Sequence, residues 1–333
     1  MPLETTMTWS ACHRYAKMVL MRGKGRACAV ICVLAAMLAA CSPARLDEAA
    51  QSAVAIPTAS PTPEMTASDT GYSKLVLPTA SPTATPAPRW DQLPEAANDP
   101  AALAQQLAMV EAALRDPAVT GAQLDWMGHL QQLAYARLFD YPDWKDTVLA
   151  ALPAQTRAAV NGSLDASKQL KLLTGPIPRT LPDWKIVQPA PVEDLLRYYK
   201  EAEAQFGVPW QYLAAIHLVE TRMGRIRGLS TAGAQGPMQF MPATWAMYGK
   251  GDIEDNHDAI LGAARYLRAA GAPDDMQRAL YAYNHSQAYV NALVLYAEVM
   301  KADPAAYRGY HGWQVYYPTK DGPVLLPIGW TKE

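Results

Sequence analysis

A single glutamate ends a run of apolar residues whose spacing predicts a helix. In the segment LAAIHLVE, Leu213, His217 and Glu220 recur at helical intervals and so share one face. A carboxyl group in such surroundings loses part of its hydration, which raises its pKa and keeps it protonated. A protonated carboxyl can serve as a general acid. The alternative is that Glu220 forms an ion pair with Arg222 or Arg225 and has no chemical role.

The residues after this helix include groups that suit a sugar. Gly233 and Gly236 permit unusual backbone angles and the close approach of a ligand. Four side chains supply apolar contact or amide hydrogen bonds: Met238, Gln239, Tyr283 and Asn284. An aromatic ring beside an amide matches a sugar, because sugar faces are apolar and sugar edges carry hydroxyls.

Together these signals resemble the SLT domain of lytic transglycosylases, which is related to goose-type lysozyme. The resemblance rests on Glu220, the run Ser230-x-x-Gly-Ala-x-Gly-x-Met-Gln239, Met241-Pro242 and Ala282-Tyr-Asn284, and it covers about residues 192–300. It implies a mostly helical, lysozyme-like α+β fold.

The same resemblance assigns roles by position. Glu220 matches the single catalytic glutamate, and Ser230, Gln239, Tyr283 and Asn284 match residues that line the glycan cleft. With Met238 as an apolar contact, these residues form the predicted substrate-binding set. The family often has serine after the glutamate, where this chain has Thr221, and leucine where it has Pro237.

The implied activity is cleavage of the MurNAc–GlcNAc β-1,4 bond of peptidoglycan, with a 1,6-anhydroMurNAc end as the product. Glu220 would act first as acid and then as base, and no cofactor is needed. Two alternatives stay open. The same fold could hydrolyse the bond as a muramidase, which needs a second carboxylate or a positioned water. The protein could also be a non-catalytic, peptidoglycan-binding lipoprotein.

Other groups that could do chemistry are better explained structurally. The carboxylates of Asp252, Glu254, Asp255 and Asp258 could bind calcium, but the EF-hand pattern fails, and we expect Asp258 or Asn256 to cap a helix instead. His217 and His285 lack the spacing of a zinc pair, so we expect packed or hydrogen-bonded histidines. The sequence therefore predicts no metal site.

The N-terminus resembles a bacterial lipoprotein signal. Basic residues at 22, 24 and 26 precede the apolar stretch Ala27–Ala40, and Leu38-Ala-Ala-Cys41 resembles a lipobox. We expect cleavage before Cys41, lipidation of its thiol and anchoring to a membrane of the bacterial cell envelope. The alternatives are an ordinary signal peptide or an uncleaved anchor.

Charge and cysteine content narrow the class of protein further. Residues 1–41 hold five of the 29 basic residues and one of the 31 acidic ones, so 24 basic and 30 acidic residues remain, a net charge of −6. An acidic chain argues against nucleic acid as a partner. No cysteine follows Cys41, which excludes disulfides and a thiol nucleophile in the folded part.

The predicted order of segments is a signal peptide (1–40), a lipidated Cys41 with a Pro/Ser/Thr/Ala-rich linker (41–95), a helical subdomain (96–175), a connector (176–191), the SLT-like catalytic domain (192–302) and a C-terminal extension with a β-hairpin (303–333). Periodicity predicts ten helices: Ala101–Arg115, Val119–Leu138, Trp144–Leu152, Pro153–Leu173, Glu193–Phe206, Trp210–Thr221, Pro242–Tyr248, Asp258–Ala270, Asp275–Tyr283 and Gln287–Lys301.

Overall fold

The computed structural model describes Trp90 and residues 92–332. The predicted signal peptide, Cys41 and most of the predicted linker lie outside these residues. Within the described range, no helix has both the length and the apolar character needed to cross a membrane.

The described residues form a mostly α fold, as predicted. Its eleven α-helices are α1 (Pro100–Arg115), α2 (Gly121–Asp140), α3 (Lys145–Ala150), α4 (Ala154–Lys171), α5 (Val192–Phe206), α6 (Trp210–Thr221), α7 (Pro242–Tyr248), α8 (Asn256–Ala270), α9 (Met276–Tyr283), α10 (Gln287–Ala302) and α11 (Ala306–His311). Four short strands complete it: β1 (Lys185–Ile186), β2 (Ile226–Arg227), β3 (Val315–Thr319) and β4 (Gly322–Leu326). All ten predicted helices are present, whereas α11 and the β1–β2 pair were not predicted.

Local sequence signals explain several helix ends. Asp99 caps α1 by accepting a hydrogen bond from the Ala102 amide, and proline occupies the first turn. Gly207 ends α5 in the left-handed conformation, with φ of 71°. The cap of α8 differs from the prediction: Asp255, one turn before Asp258, accepts from the Asp258 amide. The acidic run offered several carboxylates near this end, and spacing alone does not choose among them.

One hydrophobic core joins the N-terminal helices to the later ones. Helix α10 lies at its centre and packs against α6 on one side and α4 on the other. This explains why α10 is apolar around most of its circumference, with buried residues such as Tyr289, Val290 and Val299 on more than one face. The division into subdomains at 176–191 remains a prediction, and β1 lies within that connector.

The predicted C-terminal hairpin is confirmed as β3 and β4, an antiparallel pair. Thr319 lies opposite Gly322 beside the turn, and Pro318 lies opposite Pro323. Hydrogen-bonded and non-hydrogen-bonded pairs alternate in such a ladder, and the pair that closes a two-residue turn is hydrogen-bonded. The two prolines therefore occupy a non-hydrogen-bonded pair, where their missing amide hydrogens cost nothing.

A second, smaller hydrophobic cluster underlies these strands. Its buried residues are Ile186, Val315, Tyr317 and Leu326. Trp184 packs edge-on against Tyr317, with ring centroids 5.7 Å apart, and also lies against Gly228. The cluster thus holds the segment that follows α6 against the C-terminal hairpin.

We predict that Gly128→Ala lowers the free energy of unfolding by about 1–3 kcal/mol, because α2 and α11 leave no space for a side chain there. A Cβ at this position would lie 2.6 Å from the Gly309 carbonyl oxygen and 2.6 Å from the Gly312 Cα, both backbone atoms. Chemical denaturation measures the change. Gly175→Ala is the control, since its Cβ would meet nothing within 4 Å, and we expect a change within about 0.5 kcal/mol. Equal stability of the two variants would contradict the packing argument.

Candidate active site

Glu220 lies where the most buried helix of the fold reaches its surface. In α6 the seven residues from Leu213 to Val219 are buried, and Glu220 is partly exposed. The helix ends one residue later, at Thr221. The side chain is thus surrounded by apolar groups on its inner side and accessible on its outer side.

The pKa of Glu220 is raised to about 7, and its first cause is burial of the carboxyl. A hydrogen bond opposes this effect: the Tyr289 hydroxyl donates to Glu220 Oε1 over 2.6 Å, which favours the carboxylate. Burial outweighs the hydrogen bond, so the protonated form persists to much higher pH than in an ordinary glutamate. This is the state that a general acid requires.

Neither arginine pairs with Glu220, which forms no ion pair within the described part of the chain. Arg225 Nη2 donates to the His311 carbonyl over 2.9 Å and lies 3.9 Å from Asp125 Oδ1. Arg222 Nη1 donates to the Leu218 carbonyl over 2.9 Å. The ion-pair alternative for Glu220 is therefore not what the structure shows.

The chain turns sharply directly after Glu220. Arg222, Met223 and Gly224 have φ angles of 55°, 60° and 80°, all in the left-handed region. For Arg222 and Met223 this conformation is strained and needs support from neighbouring groups. Thr221 gives part of that support, since its Oγ1 accepts from the Gly224 amide over 3.0 Å and donates to the Pro237 carbonyl over 2.5 Å.

That last bond attaches the end of α6 to the glycine-containing loop, residues 230–240. Ser230 Oγ accepts hydrogen bonds from the amides of Ala232 and Ala234 over 3.2 and 2.9 Å, so it shapes the loop from within. Gly236 has φ of 71°, and a Cβ there would lie 2.0 Å from the Ile253 carbonyl oxygen. Gln239 also has positive φ, 50°, and its Nε2 donates to the Gly236 carbonyl over 2.9 Å.

Tyr283 connects this loop to Glu220. Its hydroxyl donates to the Met238 carbonyl over 2.6 Å. Burial raises the pKa of Tyr283 well above its usual value, and the nearby Glu220 carboxylate raises it further. The Met238 side chain is fully buried, so its carbonyl rather than its thioether is what Met238 contributes here. Asn284 is partly exposed, and its amide makes no side-chain hydrogen bond with the described residues.

The structure thus brings Glu220, Tyr283 and Met238 together, and it links Ser230 and Gln239 to them through one loop. Sequence reasoning did not identify Tyr289 as the hydrogen-bond partner of Glu220. A signal was available: tyrosine instead of phenylalanine on a buried helical face indicates that the hydroxyl has a partner.

The histidines and the acidic run have structural partners. His217 is buried, its Nδ1 lies 2.7 Å from the Tyr199 hydroxyl, and burial lowers its pKa to about 3. His285 lies on the surface with its ring 5.6 Å from that of Tyr281. Potential ligand atoms of Asp255, His257 and Asp258 lie within 4.8 Å of one another.

Each member of this trio already has a partner. Asp255 Oδ1 accepts from the Asp258 amide over 3.0 Å, and Asp258 Oδ2 accepts from the Asp252 amide over 2.9 Å. His257 Nε2 lies 3.0 Å from Glu201 Oε2. Asp255 is thus the N-cap of α8, and His257 and Asp258, in the first turn of that helix, contact Glu201 and the Asp252 amide.

We predict that Tyr289→Phe raises the pKa of Glu220 above about 7, because the lost hydrogen bond stabilises only the carboxylate. A ¹³C NMR titration of the side-chain carboxyls, assigned with Glu220→Gln, measures the change. Tyr296→Phe is the matched control: it lies on the same helix and is equally buried, but its hydroxyl faces Ser167 at 3.3 Å. An unchanged titration of Glu220 in Tyr289→Phe would contradict the assigned hydrogen bond.

Comparison with known proteins agrees with this geometry. Residues 197–300 match the family model described as the transglycosylase SLT domain. This range contains every predicted site residue except Cys41, and it also contains Tyr289.

A curated relative supports the same family. The chain is 30% identical over 125 residues to the membrane-bound lytic murein transglycosylase F of Thiobacillus denitrificans (strain ATCC 25259 / T1). The alignment covers 35% of this chain and 26% of the relative, so the chain spans about a quarter of the curated relative that it matches. No solved structure matches the chain. The range 197–300, which contains Glu220 at the end of its buried helix, is thus similar to the transglycosylase SLT domain.

Proposed function

We propose that the protein is a lytic transglycosylase that cleaves the β-1,4 bond between MurNAc and GlcNAc in peptidoglycan and leaves a 1,6-anhydroMurNAc end. The observation that carries this proposal is the Glu220 carboxyl, which lies at the end of an apolar helix, accepts a hydrogen bond from Tyr289 and has a pKa raised to about 7, within a range that matches the SLT domain. The name of the curated relative states the same activity for that protein.

The reaction divides into two proton transfers through one group. Protonated Glu220 gives its proton to the glycosidic oxygen while the C1–O bond of MurNAc breaks, and the N-acetyl group of the substrate stabilises the positive charge on C1. The Glu220 carboxylate then removes the proton from the C6 hydroxyl while O6 bonds to C1. Glu220 returns to its protonated form, and no water is consumed.

Tyr289 is suited to the second half of this cycle. Its hydroxyl donates to Glu220 Oε1, so it stabilises the carboxylate that exists between the two transfers. Burial destabilises that same carboxylate. The opposing effects keep the two forms close in free energy, which allows one side chain to release a proton and recover it.

The surroundings of Glu220 bear on the choice between this route and hydrolysis by two carboxylates. A hydrolase of this kind uses a second carboxylate or a positioned water. A second carboxylate close to Glu220 would raise its pKa through charge repulsion, yet burial and the Tyr289 bond are the two causes that act on it. The muramidase alternative would then need a positioned water, and the chemical form of the product decides between the two reactions.

We propose that the glycan contacts Ser230, Gln239, Tyr283 and Asn284, and that Met238, which is fully buried, supports this surface from within. Asn284 fits this role best, because its amide is partly exposed and is not used by a described neighbour. Tyr283 lies near Glu220, and its hydroxyl donates to the backbone carbonyl of Met238. Ser230 and Gln239 set the shape of the loop on which these contacts depend.

We predict that Glu220→Gln lowers the release of muropeptides from purified sacculi about 100- to 10,000-fold, because the amide cannot transfer a proton. Mass spectrometry of the wild-type products should show anhydro ends, which are lighter than reducing ends by one water. Glu298→Gln, the same change at an exposed position of α10, should retain activity. Full activity of the Glu220 variant would refute the catalytic assignment, and reducing ends would identify a muramidase.

We further propose that the chain is a lipoprotein of the cell envelope, cleaved before Cys41, lipidated there and attached by the linker of residues 41–95 to the helical part. The basic, apolar and small residues that precede Cys41 support this proposal. The relative's name describes that protein as membrane-bound, and a lipid anchor requires no spanning helix.

Cys41→Ser is expected to move the protein from the membrane pellet to the soluble envelope fraction, because the acceptor of the lipid is removed. Fractionation and immunoblotting measure the distribution. Cys32→Ser, a change within the apolar stretch, should leave the protein in the membrane fraction. Retention of the Cys41 variant in the pellet would contradict lipidation at this site.

A further inference from the structure

The two elements that hold Glu220 are both connected to helices outside the matched SLT range. One element is α10, which carries Tyr289, and the other is the strained turn at Arg222 and Met223. The connections pass through a buried polar network, which we call the buttress network and which consists of Glu111, Arg115, Gln131, Tyr135, Asp303 and Trp313.

Trp313 supports the strained turn. The Arg222 guanidinium lies over its indole ring, 6.0 Å from the centroid, two residues after Glu220. The indole is 4% exposed, and its Nε1 donates to Gln131 Oε1 over 3.0 Å. Tyr310 also packs edge-on against it, with centroids 5.0 Å apart. The position of the ring is therefore set by a hydrogen bond to α2 as well as by packing.

Gln131 extends the network to α1. Its Nε2 donates to Glu111 Oε1 over 2.9 Å, and the Tyr135 hydroxyl donates to the same oxygen over 2.6 Å. The other oxygen of Glu111 pairs with Arg115 Nη1 at 2.7 Å. The side-chain oxygen of Gln131 thus accepts from Trp313, and its NH2 group donates to Glu111. The two bonds together fix the orientation of the amide.

The network then returns to α10. Arg115 Nη2 forms an ion pair with Asp303, the residue that follows the last turn of α10. Fourteen positions earlier on that helix, Tyr289 donates to Glu220. One set of hydrogen bonds on α1 and α2 is therefore connected both to the turn after Glu220 and to the helix that supplies its hydrogen-bond donor.

Directional polar contacts are better suited to such a role than apolar ones. A hydrogen-bonded network admits few alternative arrangements, whereas apolar contacts tolerate small shifts. The strained residues at 222 and 223 persist only if their surroundings hold them. A shift there would change how deeply the Glu220 carboxyl is buried and how it meets Tyr289.

We propose that Gln131 and Trp313 are positioning residues for Glu220, so that the N-terminal helices α1 and α2 take part in setting the catalytic site. The proposal rests on the proposed transglycosylase activity for its kinetic consequence. Its structural consequence, the setting of the Glu220 carboxyl, can be measured without turnover.

Gln131→Met tests this directly, since it keeps the length of the side chain and removes both hydrogen bonds. We expect kcat to fall about 10- to 100-fold, as for a small displacement of a catalytic group, with KM unchanged. We also expect the Glu220 carboxyl to titrate at lower pH in ¹³C NMR, because a displaced side chain gains solvent. Trp313→Phe, which keeps an aromatic ring and loses the Nε1 donor, should show the same two changes.

Val148→Ala is the matched control, because it removes buried volume from α3 without touching a polar group. It should lower the melting temperature while leaving kcat per folded molecule and the Glu220 titration unchanged. Gln131→Met behaving like this control would overturn the proposal, and so would failure of both network variants to fold, since the network would then serve the fold alone. If Glu220→Gln is active while the titration shifts in Gln131→Met, the proposed activity fails and the positioning stands.

Discussion

The site depends on a carboxyl group that is held largely out of water although its residue lies at the protein surface. Burial alone would keep Glu220 protonated, and the Tyr289 hydroxyl acts in the opposite direction. Both contributions vary steeply with position: burial changes with the exposed fraction of the side chain, and the hydrogen bond changes over a few tenths of an ångström. The fold must therefore fix the position of α6 relative to α10. This requirement explains features that are remote from Glu220.

The central place of α10 meets that requirement. This helix is buried on two sides, against α6, which carries Glu220, and against α4, which belongs to the N-terminal helices. An SLT domain limited to the matched range would leave the α4-facing side of α10 exposed, and its apolar residues there would have no cover. The N-terminal helices thus complete the core on which the geometry of the Glu220–Tyr289 pair depends. The second, smaller hydrophobic cluster, which contains Ile186 and contacts Trp184, holds the segment after α6 in place.

Local patterns predicted the parts of the structure that depend on local physics. The bounds of α6 and α7 follow from flanking prolines, glycine and apolar periodicity, and Glu220 follows from its place on the apolar helix. The partner Tyr289 could not be placed, because it comes from a helix 69 residues further along and meets Glu220 only through tertiary packing. The β1–β2 pair, with two residues on each strand, is equally a product of its surroundings, since so short a ladder has little stability of its own.

The proposed reaction, in which one acid acts twice, places a specific demand on the surroundings of Glu220. As a donor it benefits from a low pKa, and as an acceptor it benefits from a high one, so a value close to the working pH serves both steps. Apolar packing from α6 raises the pKa of Glu220, and one tyrosine lowers it to about 7. A second tyrosine, Tyr283, lies near enough for the Glu220 charge to raise its pKa, but its hydroxyl donates its hydrogen bond to the Met238 carbonyl. Because Tyr283 is committed to the loop, Glu220 receives one tyrosine hydrogen bond and not two, and the carboxylate is not stabilised so far that it could no longer recover its proton.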